Sequence, residues 1–131
     1  MKKNILLLLV LAFLVTLCTV SCKKKDDSTS KKSNAELIVG RWKSVERNYY
    51  EVYNSDGTGK EWDADEVEEE DADTFTWEIN VNDENYFLQT VNFQGGQGVI
   101  PHNCKIITLN ETTFKYTTDW DKFTEDLRRV Q

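Results

Sequence analysis

One proline, one histidine and three cysteines are all that this 131-residue chain holds of those types, and its 16 basic residues are outnumbered by 23 acidic ones. A single histidine and so few cysteines cannot assemble a zinc site with standard ligand spacing. The net charge of -7 repels a phosphate backbone instead of displacing its counterions, which argues against nucleic acid as a partner. The one glycine-rich stretch, Gly95-Gly96-Gln97-Gly98, precedes neither a helical pattern nor a Lys-Ser/Thr pair. It reads as a hairpin turn and not as a phosphate cradle. Beyond the first 22 residues there is no long apolar run and no sustained helical period, and the length suits one small domain rather than a multidomain enzyme.

What the chain does have begins at its N-terminus. Lys2 and Lys3 precede an apolar stretch, residues 5–17, and the small Ser21 stands directly before Cys22. That is the layout of a secretory signal peptide. An uncleaved anchor helix is the alternative, since residues 5–22 approach the roughly 20 needed to span a bilayer. With a Cys placed after the cleavage site, the segment resembles a bacterial lipoprotein signal. The resemblance implies that residues 1–21 are removed, that Cys22 is acylated, and that a lipid anchor holds the protein to a membrane of the cell envelope, expected to be the outer membrane. Loss of Lys2 and Lys3 would leave 14 basic residues against 23 acidic ones, a charge of -9. Cys18 would leave with the signal, so Cys104 has no intrachain disulfide partner and a packed core must supply the stability.

Residues 23–34, Lys-Lys-Lys-Asp-Asp-Ser-Thr-Ser-Lys-Lys-Ser-Asn, contain nothing apolar, so 22–34 is expected to be a lipidated tether. The globular part, 35–131, holds four Trp, five Tyr and five Phe, a ring density suited to sheets. Phe75, Trp77, Ile79 and Val81 alternate with Thr76, Glu78 and Asn80, the pattern of a strand with one buried face. Further strands are predicted at 41–52, 58–62, 86–93, 104–109, 113–118 and 124–130, separated by the turn clusters Asn54-Ser55-Asp56-Gly57, Asn82-Asp83-Glu84-Asn85 and Asn110-Glu111-Thr112. Residues 35–39 suggest one helical turn. About eight short-looped strands make an all-β, antiparallel up-and-down meander, and eight is the number that closes into a small barrel. An open sandwich is the alternative.

Gly40-Arg41-Trp42 at the start of the first strand resembles the Gly-x-Trp motif of lipocalins, and Arg128-Arg129 in the last strand resembles the Arg that packs on that Trp. Together with Asp56-Gly57-Thr58-Gly59 and the closing Arg-Val, these residues look like the short lipocalin-like domains of bacterial lipoproteins. The resemblance implies an eight-stranded barrel whose base is closed by Trp42 under Arg128 or Arg129, a cation–π contact.

Few residues point to chemistry. His102 and Cys104 would share a strand face, but no third group or oxyanion donor accompanies them, so Cys104 is expected to be packed beside an exposed His102. Residues 63–73 carry eight acids in eleven positions without a calcium-loop glycine, and read as a solvated, mobile loop. No catalytic motif and no cofactor site emerges, so a non-enzymatic protein is expected. If 41–52 is one strand and Trp42 points inward, Ser44, Glu46 and Asn48 follow it into the barrel and, with Trp77, line a pocket for a small amphiphilic or polar ligand. If a bulge flips the register, Val45 and Tyr49 point inward, and the barrel is a filled scaffold or an interaction module for an envelope protein.

Overall fold

A computed structural model describes residues 30–93 and 98–131. The predicted signal segment, Cys22 and most of the tether lie outside the described residues, as does the 95–98 turn apart from Gly98. The compact unit runs from Lys31 to Gln131. It starts earlier than the composition suggested, because the end of the predicted tether is tied down. Ser33 caps a short helix α1 (Asn34–Ile38): its backbone N–H donates to Glu36 Oε2 at 2.8 Å, and Glu36 N–H donates back to Ser33 Oγ at 3.3 Å. Lys32 pairs with Glu111 at 2.8 Å, and Asn34 Nδ2 donates to the Glu84 carbonyl at 2.7 Å. Lys31 to Asn34 therefore belong to the folded unit.

Eight strands follow: β1 (Gly40–Ser44), β2 (Tyr49–Tyr53), β3 (Thr58–Asp63), β4 (Asp73–Ile79), β5 (Tyr86–Asn92), β6 (Val99–Leu109), β7 (Thr113–Thr118) and β8 (Thr124–Val130). Each pairs antiparallel with its neighbour in sequence, and β1 also pairs with β8 (Arg41 opposite Val130, Lys43 opposite Arg128), which closes the barrel. Closure leaves no sheet edge, so the open sandwich is ruled out.

Three strand boundaries differ from the sequence reading. Residues 41–52 are two strands, not one, broken by a bend at Val45–Asn48 that no glycine or proline announces. Val45 N–H still donates to the Asp126 carbonyl of β8 at 3.0 Å, and the local bond from Glu46 N–H to Ser44 Oγ at 3.4 Å then turns the chain out of β1. The bend changes the parity of the inward residues from Trp42 and Ser44 to Glu51 and Tyr53. Val81 is not part of the buried stripe but 94% exposed in the β4–β5 turn. β6 begins at Val99 and not at 104, runs through Pro101, and shifts register between Ile106 and Thr108.

The core is aromatic. Tyr53 lies at its centre, with ring centroids of Phe75, Phe114, Trp77 and Phe87 at 5.0, 5.6, 5.7 and 6.2 Å in tilted or edge-on arrangements. Burying each large apolar side chain contributes about 1.5–3 kcal/mol. Gly59 makes the Phe75 position possible, since a Cβ there would fall 2.1 Å from the Phe75 ring and 2.5 Å from the Val52 carbonyl.

Candidate functional site

The two ends of the barrel are built differently. At the α1 end, Trp42 is fully buried and its indole N–H donates to the Ile38 carbonyl at 2.8 Å. The Arg129 guanidinium lies 4.2 Å from the ring centre. It donates to the carbonyls of Leu37 (2.6 Å), Val39 (2.8 Å) and Glu111 (2.6 Å), so it joins α1, β1 and the β6–β7 turn. Gly40 gives it room: φ is +142°, and a Cβ would sit 2.1 Å from Arg129 Nη1. Trp42 is paired with Arg129 across the ladder, whereas Arg128 lies opposite Lys43 on the outer wall and pairs with Asp126. Of the two arginines, only Arg129 belongs to the base.

Above this floor the interior turns polar. Glu51 is fully buried and accepts hydrogen bonds from Tyr116 Oη at 2.6 Å, reached across the lumen, and from Tyr53 Oη at 2.8 Å. Glu61 stands directly opposite Glu51 on β3, and Asp73 directly opposite Glu61 on β4, so three carboxyls form one inward row. Gln89 Nε2 donates to Glu61 Oε2 at 2.9 Å, and Tyr49 is hydrogen-bonded to the same side chain. Burial, followed by the Glu61 charge, pushes the Glu51 carboxyl up to about 8. Burial, with Asp73 adding to it, pushes Glu61 up to about 7 against the opposing Tyr49 and Gln89 hydrogen bonds. Like charges facing one another in a low-dielectric lumen favour the protonated form.

The far end carries a second arginine over an aromatic ring. Arg47, on the β1–β2 bend, places its guanidinium 4.0 Å from the Tyr49 ring centre and 5.5 Å from that of Phe123, and donates from Nη2 to Glu125 Oε2 at 2.6 Å. Glu125 is buried and opposite Tyr116. A cleft of about 320 Å³ opens on the Glu61 and Asp73 side of this end, lined by Tyr49, Glu61, Asp63, Glu66, Asp71 and Asp73 among others. Trp120, 72% exposed, and Phe123, 46% exposed, stand in the β7–β8 loop at this end.

The acidic run 63–73 is solvent-exposed over most of its length, as expected, but one of its carboxylates is paired with the barrel. A 3-10 turn at Glu69–Asp71 lays it against the outer wall, where Glu69 binds Arg41 through both oxygens (3.1 and 2.8 Å) and Lys60 at 2.6 Å. These two cations hold the Glu69 carboxyl down at about 2. Beneath it Arg41 lies 4.9 Å from the Trp62 ring, which stacks on Tyr50 at 5.1 Å. The anchor is a long-range pair that a local reading of repulsion misses. Among the described residues no group of three or more His, Cys, Asp or Glu is placed to hold a metal ion.

Of the predicted lining residues, Ser44 points inward and is buried. Glu46 does not; it is exposed on the bend, and Asn48 turns outward to donate to Asp65 Oδ1 at 3.0 Å. Trp77 is core near the base, its N–H shared at 3.1 Å by the carbonyls of Asn54 and Thr58. Tyr49 faces the lumen as the flipped register required, but Val45 is 51% exposed, because a bend and not a bulge does the flipping. His102 is half-buried against Trp120 instead of exposed, with centroids 6.5 Å apart. Cys104 is fully buried, its thiol 3.6 Å from the His102 carbonyl, and burial pushes its ionisation up. The sequence reading missed Arg47, Glu51, Glu61, Gln89 and Glu125. The signal for Glu51 was present in Tyr49-Tyr50-Glu51-Val52-Tyr53, where it shares parity with two tyrosines, but reading it required the break at 45–48.

The chain matches no protein-family model, no curated protein and no solved structure. What fold and site define is a small closed antiparallel barrel with an aromatic floor and a carboxylate-rich far end. Among the described residues no helix is long and apolar enough to cross a membrane.

Proposed function

We propose that this chain is an envelope lipoprotein, anchored in the outer membrane through acylated Cys22, whose lipocalin-like barrel binds a small polar ligand at the far end without transforming it. The carrying observation is the row Glu51, Glu61 and Asp73 with Glu125 across the lumen, in a place that small barrels normally fill with apolar side chains. Buried carboxyls with so little compensating positive charge lower stability, and such a cost is commonly tied to a function. The adjoining 320 Å³ cleft suits a small molecule. A role as an interaction module for an envelope protein draws support from the exposed Trp120 and Phe123.

Two measurements test the reading. Native mass spectrometry of the full chain from the envelope should show a small-molecule adduct that is lost in Glu61→Gln, and an adduct-free protein would count against ligand binding. Cys22→Ala should abolish incorporation of labelled fatty acid; labelling equal to wild type would overturn the anchor.

A further inference from the structure

We infer that the niche formed by Tyr49, Phe123 and Glu125 is a guanidinium receptor that Arg47 occupies in cis and yields to a small guanidinium-bearing ligand. The inference rests on the reading of this end as a ligand site and names the ligand's class.

The niche has the parts that recognise such a cation. Tyr49 offers its face at 4.0 Å, Phe123 a second ring at 5.5 Å, and Glu125 a carboxylate whose side chain is only 5% exposed. Aromatic faces with a desolvated carboxylate attract a planar, weakly hydrated cation more strongly than a compact ammonium. Arg47 shows that a guanidinium fits, yet it holds the place loosely. It makes a single bond to Glu125, through Oε2, and not the two-oxygen fork that a guanidinium offers a carboxylate. Its side chain is 42% exposed, and it hangs from the four-residue bend, whose backbone is tied at either end by Val45 N–H to the Asp126 carbonyl and Ala64 N–H to the Asn48 carbonyl. A change of rotamer would empty the niche without breaking either tie. The Arg129 guanidinium at the base, by contrast, is fastened by three backbone carbonyls.

Charge also favours a visitor. Asp63 and Glu61 act on Arg47 in addition to Glu125, and Glu66, Asp71 and Asp73 line the neighbouring cleft, so carboxyls outnumber the one cation at this end even with Glu51 protonated. The competitor is tethered, however. A short flexible attachment gives an effective concentration in the millimolar range or above, so a free cation must outcompete it and wild-type affinity is masked.

The experiment titrates ethylguanidinium into the full chain in detergent, followed by backbone amide chemical shifts, with ethylurea as the uncharged isostere. Arg47→Ala should bind ethylguanidinium at least ~10-fold more tightly than wild type, with shifts confined to residues near 49 and 123–125, and should ignore ethylurea. Adding Phe123→Ala or Glu125→Gln to that background should abolish the gain. Phe123→Ala removes an exposed side chain, so it keeps the test decisive even where Glu125→Gln disturbs folding. Equal binding by wild type and Arg47→Ala, or equal response to ethylurea, would overturn the proposal. An adduct from the envelope that binds regardless of Arg47 and Glu125 would sink this inference while leaving the ligand-binding reading intact.

Discussion

Both ends of this barrel set an arginine over an aromatic ring at almost the same distance, 4.2 Å for Arg129 on Trp42 and 4.0 Å for Arg47 on Tyr49. What surrounds the two cations is opposite. Arg129 meets only backbone carbonyls, which are fixed by α1, by β1 and by the β6–β7 turn, and its ring partner is sealed in the core. Arg47 meets a carboxylate on a neighbouring strand and stands at the solvent boundary. The same pair chemistry is thus structural where three fixed carbonyls hold the cation, and exchangeable where a single carboxylate bond holds a cation that reaches into solvent. The floor is held by packing and the far end by charge.

The largest effect expected from breaking this contrast is at the floor. Trp42→Ala removes a fully buried indole, its hydrogen bond to Ile38 and the seat of Arg129. Cavity formation and lost contacts should cost about 3–5 kcal/mol, of which the cation–π contact accounts for ~1. Urea denaturation at neutral pH measures it, and a loss below ~1 kcal/mol would show that the floor is not closed by this pair.

The lumen should give a smaller, pH-dependent effect. Glu51 and Glu61 are raised to about 8 and about 7 from the ordinary value of 4.5, so between pH 4.5 and 8 the folded chain binds more protons than the unfolded one. Stability is then fully present at the acid side of this window and falls as pH rises through it. Each unit of displacement is worth about 1.4 kcal/mol. The carboxyls gain some hydration as they ionise, so the fall should be about 2–4 kcal/mol. Glu51→Gln should flatten the upper part of the curve. Denaturation midpoints taken from pH 5 to 8.5 decide it: a wild-type stability that rises over that range, or a Glu51→Gln curve as steep as wild type, contradicts the assignment.

The contrast also explains what the sequence could disclose. The eight-stranded closed barrel was legible because alternation in β4 and polar turn clusters between strands are local signals, and pairing of successive strands follows from short loops. The floor was legible only through the resemblance of Gly40-Arg41-Trp42 and Arg128-Arg129 to a known motif, which left open which arginine meets Trp42. The far end was not. A four-residue bend written as Val-Glu-Arg-Asn looks like strand, yet it sets which of Glu46 or Glu51 enters the lumen. Reading it as continuous chose Glu46 and Asn48 and hid Glu51. The Glu69 clamp escaped for a related reason, since its partners Arg41 and Lys60 are brought to it by strand order and not by proximity in sequence.

That clamp supplies the smallest expected effect and the sharpest separation of the two ends. Glu69 and its partners are each about a third exposed, so water and salt compete with the pairs, and Glu69→Gln should cost only about 0.5–1 kcal/mol at low ionic strength. Because the Glu69 carboxyl is held at about 2, its contribution is present above pH 4.5 and lost as pH falls towards 2, the reverse of the lumen carboxyls. Added salt should remove most of it, since the Debye length shrinks from ~10 Å at 0.1 M to ~3 Å at 1 M. Trp42→Ala offers no such dependence, because a cavity is indifferent to ionic strength. Amide exchange makes the comparison in one experiment. In wild type at high salt, or in Glu69→Gln at low salt, exchange at Asp71 and Ala72, whose N–H groups bond to Glu68 and Glu69, should quicken, while Trp42 and its ladder partners stay protected. If instead both ends loosen together with salt, the floor is not held by packing alone and the division of the barrel into a packed floor and an electrostatic mouth fails.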